Sequence, residues 1–209
     1  MIEELVLAWT RGWSVSRGTP APVPSDGAYR IDVGRPGHHV RYVLPHPHAK
    51  VIRRLTDQEN APGTWLKICA EPARIAPLLP SGWSLQQAPE YLMSAPLSQD
   101  APPPSSGGYT LRLTTTGRIV KAAVQAPDGT LAATGQAGLA DTHAVFDQIA
   151  TEPAHRRRGL GAAVMSALSS AAAAQGAGTG VLVATTEGRA LYRHLGWQEA
   201  SPMTAAHLP

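Results

Sequence analysis

From Tyr109 onward the apolar positions come in short bursts: "YTLRLT" (109–114), "RIVKAAVQ" (118–125), "TLAATGQAGL" (130–139) and "AVFDQIAT" (144–151). Partial alternation over segments this short, with many β-branched residues, predicts strands. "TTG", "PDG" and "ADTH" separate them, and "PDG" is strong turn chemistry because its residues favour the bent backbone a hairpin needs. The period then lengthens. Residues 159–175 predict an alanine-rich helix ended by "QGAG". "GVLVAT" (180–185) predicts a buried strand, "EGRALYRHL" (187–195) a short helix, and a last strand follows Gly196.

The first 97 residues carry a weaker pattern. "RIDVGRPGHHVRYVLP" predicts a hairpin, "HPHAKVIRRLTDQE" a helix, "TWLKICAE" a strand, and "PARIAPLL" a short helix with proline in its first turn, where it is tolerated. "PSGWSL" follows. "SQDAPPPSSGGY" (98–109) is the clearest break, since three consecutive prolines continue neither a helix nor a sheet interior. The expected organisation is an N-terminal region (1–97), a Pro/Ser/Gly linker (98–108) and a C-terminal unit (109–209). Setting Gly82-Trp83 on Gly196-Trp197 brings "RIAPLLPSGWS" over "EGRALYRHLGWQ", with Leu78 opposite Tyr192. That hints at a duplication in which the first copy lacks chemistry.

Composition narrows the function classes. The chain has 209 residues, 43% hydrophobic and 16% charged, which is enough apolar material for a true core. A net charge of +3 with scattered arginines lacks the sustained basic face that nucleic acid requires. No apolar run approaches the ~18 residues of a membrane span, and the acidic start "MIEEL" does not look like a secretion signal. A cytoplasmic protein acting on small molecules is expected. Cys69, the only cysteine, excludes an intrachain disulfide and a cysteine-based zinc site, and reads as a buried strand residue. His46 and His48 are too few to bind a metal, and His143, His155 and His194 are isolated. The five tryptophans read as core or interface anchors.

The most specific stretch is "HRRRGLGAAVMSAL" (155–168). Backbone N–H groups at a helix start have no intrahelical acceptor, and the helix dipole adds partial positive charge there. A diphosphate accepts several of these hydrogen bonds. Gly159 and Gly161 let the backbone come close to such a ligand. Arg156, Arg157 and Arg158 add attraction and bidentate contacts. A Walker loop needs Gly-Lys-Ser/Thr, which is missing, and Val164 breaks the third position of a dinucleotide fingerprint.

Arg156-Arg157-Arg158-Gly159-Leu160-Gly161 resembles the Q/R-x-x-G-x-G/A signature of the GCN5-related N-acetyltransferases, and "LYRHLGW" looks like that family's "LY..LGF" element. The resemblance covers residues 109–209. It implies an α/β (α+β) fold with a mixed, mostly antiparallel sheet flanked by helices, and an N-terminal half that is a degenerate copy or shapes the acceptor site. It implies acetyl-CoA as cosubstrate, its diphosphate held by the loop 156–162: Arg156, Arg157, Arg158, Gly159, Leu160, Gly161 and Ala162. The pantetheine arm would pair with Ile149, Ala150 and Thr151 between the parallel strands 144–151 and 180–185. Tyr192 matches the tyrosine that serves the departing thiolate in many members. Thr185 stands where many relatives have asparagine, as a polar contact to the cofactor arm. Asp147, the acid within strand 144–151, is the candidate base or amine-binding group. Strand alternation puts it on the face of Ile149 and Thr151. Glu152 and Glu187 are also near in sequence.

One departure stands out. The family's core has two helices between its first and second strands, where this chain has only "TTTG". The N-terminal region is expected to supply the missing wall. The leading expectation is an acetyl-CoA-dependent N-acetyltransferase acting on a small amine or amino acid by direct attack, with no nucleic-acid or membrane partner and with a homodimer allowed. The alternative is a CoA-binding regulatory or sensor module without turnover.

Overall fold

The computed structural model describes residues 1–99 and 107–209, so the 98–108 linker lies outside the described residues except at its two ends. In the C-terminal half, β7 (Thr110–Thr116), β8 (Ile119–Gln125), β9 (Leu131–Ala140) and β10 (His143–Thr151) form an antiparallel meander. Helix α4 (Leu160–Ala174) then crosses to β11 (Thr179–Thr185), which runs parallel to β10. Helix α5 (Thr186–His194) and the long strand β12 (Gln198–Leu208) complete it.

The N-terminal half begins with α1 (Ile2–Arg17) and β1 (Val23–Ser25). The hairpin β2 (Ala28–Arg35) and β3 (His38–Leu44) leads through α2 (Ala49–Gln58) to β4 (Thr64–Ile68), parallel to β3. The short helix α3 (Pro72–Ile75) with a 3-10 turn, β5 (Ser84–Leu85) and β6 (Glu90–Pro96) follow. The order strand, helix, parallel strand, helix, Gly-Trp, strand therefore occurs twice along the chain.

All strands join one sheet in the order β1-β2-β3-β4-β12-β6-β11-β10-β9-β8-β7, with β5 also on β12. The halves are interlocked. Strand β6 inserts between β11 and residues 198–203 of β12, while residues 204–208 of β12 cross to pair with β4. The mixed, largely antiparallel sheet flanked by helices is the fold class the sequence predicts. No helix among the described residues is long and apolar enough to cross a membrane.

Two helices grip opposite faces of the C-terminal sheet. Leu160, Val164, Met165 and Leu168 of α4 are buried with Ala137 and Phe146 of β9 and β10. On the other face Val6, Trp9 and Trp13 of α1 are buried with Val145 and Val181. Burying one such side chain stabilises by about 1.5–3 kcal/mol before entropy costs. Helix α1 lies very close to β9: a Cβ on Gly12 would sit 2.9 Å from the Gly138 carbonyl oxygen, and one on Gly138 would sit 2.2 Å from that of Gly12. Only glycine on both sides permits that approach. Thus α1 covers the face of β9 and β10 opposite α4.

Candidate functional site

Strands β10 and β11 are paired only at His143–Thr179, Ala144–Gly180 and Val145–Val181, and then diverge. Beyond the divergence β10 bulges: its register on β9 shifts between Asp147 and Ala150, and Gln148 has φ +56°. The split opens a cleft of about 730 Å³ between β10, β11, α4 and α5. Every residue the sequence assigns to catalysis or cofactor binding lines it except Arg158. Arg158 Nη1 donates to the Tyr109 hydroxyl at 2.9 Å, and that hydroxyl also meets His155 Nδ1 at 3.0 Å. The third arginine ties the loop to β7's approach instead of facing the cleft.

The loop before α4 is built by local backbone preference. Arg156 Nε donates to the Thr151 carbonyl at 3.3 Å, Arg157 has φ +61°, and Gly159 caps the helix with φ +77°. A Cβ on Gly159 would meet nothing within 4 Å, so conformation, not space, demands glycine there. Gly161 is different, since its Cβ would stand 3.1 Å from Leu191 Cδ2 on α5. Its role is helix packing. Ala163 N–H is the first to reach back, to the Gly159 carbonyl at 3.0 Å. The amides of Leu160, Gly161 and Ala162 precede it in the first turn, where an N–H has no intrahelical acceptor, and these residues line the cleft.

Tyr192 is 8% exposed, and its hydroxyl makes no hydrogen bond among the described residues. Burial first, and the charge of Asp147 second, push its phenol up to about 12. Helix α5 is pinned by Arg189 and Arg193, whose guanidinium groups meet Glu199 of β12 at 2.6 and 2.9 Å. Thr185 Oγ1 accepts the Gly188 N–H at 3.2 Å, so this residue caps α5 while lining the cleft. Glu187 lines the cleft and Glu152 does not. Cys69 lies outside it, buried, its thiol pushed up to about 12 by that burial.

Asp147 departs from the sequence reading. It points to the α1 face, where Arg17 Nη2 donates to Oδ1 at 2.8 Å, Arg17 Nε donates to Oδ2, and Ser16 Oγ donates at 3.0 Å. Ile149 packs on the opposite, α4 face. The extra residue of the bulge, Gln148, reverses the alternation that would have put the two side chains together. This carboxylate accepts from a guanidinium, a hydroxyl and the Gln148 N–H at 2.9 Å, so both its oxygens are engaged by the protein.

A second, smaller cavity of about 210 Å³ adjoins the cleft and shares Phe146, Asp147 and Val183 with it. Its other walls come from α1, β2, β3, β4 and β6. Lys67 Nζ meets Glu90 Oε2 there at 2.5 Å. Burial, opposed by Glu90, pushes the Lys67 ammonium down to about 8. Arg41 and His38 also line it. Arg41, Lys67 and Glu90 carry no signal in the sequence, while His38 falls in the hairpin turn "GRPGHH", which could reach a substrate. The α1 spacing of Val6, Trp9 and Trp13 was the legible signal for a helix lining this cavity. Nothing in "HHVRYVL" or "TWLKI" marks Arg41 and Lys67 as buried.

The comparisons agree with this geometry. Residues 116–199 match the family model of the acetyltransferase (GNAT) domain. A search of curated proteins gives no match. Among solved structures, a GCN5-related N-acetyltransferase from Kribbella flavida superposes with a TM-score of 0.64 at 17% identity, over 94% of this chain and 92% of that one. A GNAT-family acetyltransferase from Novosphingobium aromaticivorans gives 0.57 at 22% identity, over 96% and 98%. A tandem GNAT protein from the clavulanic acid biosynthesis pathway gives 0.56 at 12%, over 100% and 94%. These structures share the fold, and the sequence match places the split strands, the Arg/Gly loop and α5 inside one recognised domain. Residues 116–199 thus match the acetyltransferase (GNAT) domain, and the chain shares the fold of GCN5-related N-acetyltransferases.

Proposed function

We propose that this protein transfers an acetyl group from acetyl-CoA to the amine of a small molecule. The observation that carries the reading is the divergence of β10 from β11 beside the free amides at the start of α4. A cleft of about 730 Å³ lies in the range of small-molecule and cofactor sites. The amides of Leu160, Gly161 and Ala162 would hold the diphosphate, with Arg156 and Arg157 beside it. The β10 edge at Ile149, Ala150 and Thr151, unpaired toward β11, would bind the amide-bearing arm as an added strand. Bound acetyl-CoA would supply a thioester as the electrophile.

The remaining steps fall to side chains. The new N–C bond forms as the C–S bond breaks, and the amine gives up a proton. Glu90 suits that proton better than Asp147, because its Oε1 has no hydrogen bond among the described residues. Tyr192, with a phenol near 12, keeps its proton beside a thiol of ordinary pKa about 8.5. It therefore acts as a hydrogen-bond donor to the developing thiolate, not as a full proton donor.

The N-terminal half is read as a copy without this cleft. Its parallel strands β3 and β4 stay paired from Val40–Thr64 to Leu44–Ile68, and "PHPH" replaces the Arg/Gly loop.

The test is thiol release from acetyl-CoA across a panel of amines and amino acids, with acetyl-CoA affinity measured separately. Turnover with at least one amine, and weaker acetyl-CoA binding in Arg157→Ala/Gly159→Ala, are expected. Acetyl-CoA binding at wild-type strength in that variant overturns the loop assignment. Tight binding without turnover of any amine favours the regulatory alternative.

A further inference from the structure

The cavity of about 210 Å³ beside the cleft is lined by a buried cation, Arg41, with no hydrogen-bonded or ion-paired partner among the described residues. Arg41 is 8% exposed, its Nε is buried with no acceptor, and it makes no ion pair or hydrogen bond among the described residues. A buried guanidinium in that state is costly unless something completes it. Two indoles carry it: Arg41 Cζ lies 4.2 Å from the centre of the Trp13 ring and 5.9 Å from that of Trp9. Stacking on an indole leaves the edge of the guanidinium, with its N–H groups, as the part available to an oxyanion.

The surroundings repeat the message. Arg17, Arg35, Arg41 and Lys67 line the cavity against only two carboxylates, Asp147 and Glu90. Arg17 pairs with Asp147 and Lys67 with Glu90, so neither carboxylate forms an ion pair with Arg41. His38 Nε2 is a second buried polar atom without a partner in the same wall. At about 210 Å³ against the 730 Å³ of the cleft, this cavity suits the head of a small molecule.

We infer that this cavity binds the carboxylate of the acceptor through Arg41, so that the acetylated amine belongs to an amino acid or a closely related amino-carboxylate. This rests on the acetyl-transfer reading above. The shared wall of Phe146, Asp147 and Val183 lets one molecule span both spaces. With its carboxylate on Arg41, its ammonium lies on the side of Glu90, and its reacting nitrogen faces the split between β10 and β11. The N-terminal half thus selects the acceptor while the C-terminal half holds the donor.

The experiment uses the full chain and matched trios: a free amino acid, its primary amide and its decarboxylated amine. Glycine, alanine, leucine, phenylalanine, glutamate and lysine serve as parents. Binding is read from indole fluorescence, with Trp13→Phe to assign the signal, and turnover from thiol release. At least one free acid should bind at least ten-fold more tightly than its amide. Arg41→Met should abolish that preference while acetyl-CoA affinity stays at the wild-type value. Arg41→Lys, which keeps the charge but not the planar fork, should retain part of it and guards against misfolding of the methionine variant. Amides and decarboxylated amines binding as well as every acid overturns the inference, even if acetyl transfer is intact. Arg41-dependent binding of an acid in a protein that does not bind acetyl-CoA upholds the anion site and removes the transferase reading instead.

Discussion

Arg17 in the last turn of α1 and Asp147 at the bulge of β10 form a two-point ion pair that fastens the N-terminal helix to the rim of the cleft. Ser16 strengthens the joint, since its hydroxyl donates to Asp147 and accepts from Gln136 Nε2 at 2.7 Å. The pair is structural in this account. Asp147→Asn should lower stability by about 1–3 kcal/mol, as expected when one partner of a part-buried charged pair is removed. It should change kcat by less than ten-fold. Arg17→Met should do the same, with a favourable coupling energy in the double-mutant cycle. A loss of activity beyond a hundred-fold in Asp147→Asn at full stability would return Asp147 to the chemistry.

Glu90 carries the opposite expectation. Glu90→Gln should lower kcat by about a hundred-fold or more, the usual contribution of a positioned base. The substitution also strands Lys67, so Glu90→Gln/Lys67→Met is the control for folding. Equal activity of wild type and the double variant would exclude Glu90 as proton acceptor.

For Tyr192→Phe the phenol oxygen is lost and nothing else, because that oxygen has no protein partner among the described residues. Stability and acetyl-CoA affinity should remain, while kcat falls by about ten- to a hundred-fold. Stopped-flow thiol release read beside equilibrium binding separates the two quantities. Unchanged kcat would reduce Tyr192 to a packing residue against Trp197.

The two loop glycines should respond differently. Gly159→Ala forces a side chain into φ +77°, at a cost of about 1–2 kcal/mol, and should weaken acetyl-CoA binding by distorting the amides. Gly161→Ala meets only Leu191 Cδ2 at 3.1 Å and should cost less in affinity. Calorimetric titration of both variants checks the order.

His38 gives the fold a pH dependence. Burial, and then the positive charges of Arg41, Lys67, Arg35 and Arg17, push its imidazole down to about 4. Unfolded, it titrates near its ordinary 6.5. Between those values the unfolded chain binds more protons, so stability falls as pH drops from about 6.5 toward 4 and His38 adds no further loss below that. His38→Gln should lose less stability than wild type over this window, as measured by urea midpoints. Identical pH profiles would refute the assignment.

Much of the C-terminal half was legible because local signals there agree with one another. The strand alternation, the "PDG" turn and the glycine at the start of α4 each specify the same backbone, and the structure reproduces their order within a few residues. The cleft was legible for the same reason, since Gly159 and the arginines sit in one contiguous loop. What the sequence hid is long-range. Strand β6 joins the C-terminal sheet and the end of β12 joins the N-terminal one, and no local period records a partner strand. The face of Asp147 was misread because a bulge at Gln148 leaves no mark in a two-residue pattern. Arg41 and Lys67 were invisible as buried groups because their burial depends on Trp9 and Trp13 arriving from α1.

The most direct test of the account is the crystal structure of the protein with acetyl-CoA bound. It should place the diphosphate on the amides of residues 160–162, with the arm running along Ile149–Thr151 and the sulfur facing Tyr192. A diphosphate lodged at the start of α2 in the N-terminal half, or held by side chains away from α4, would contradict it.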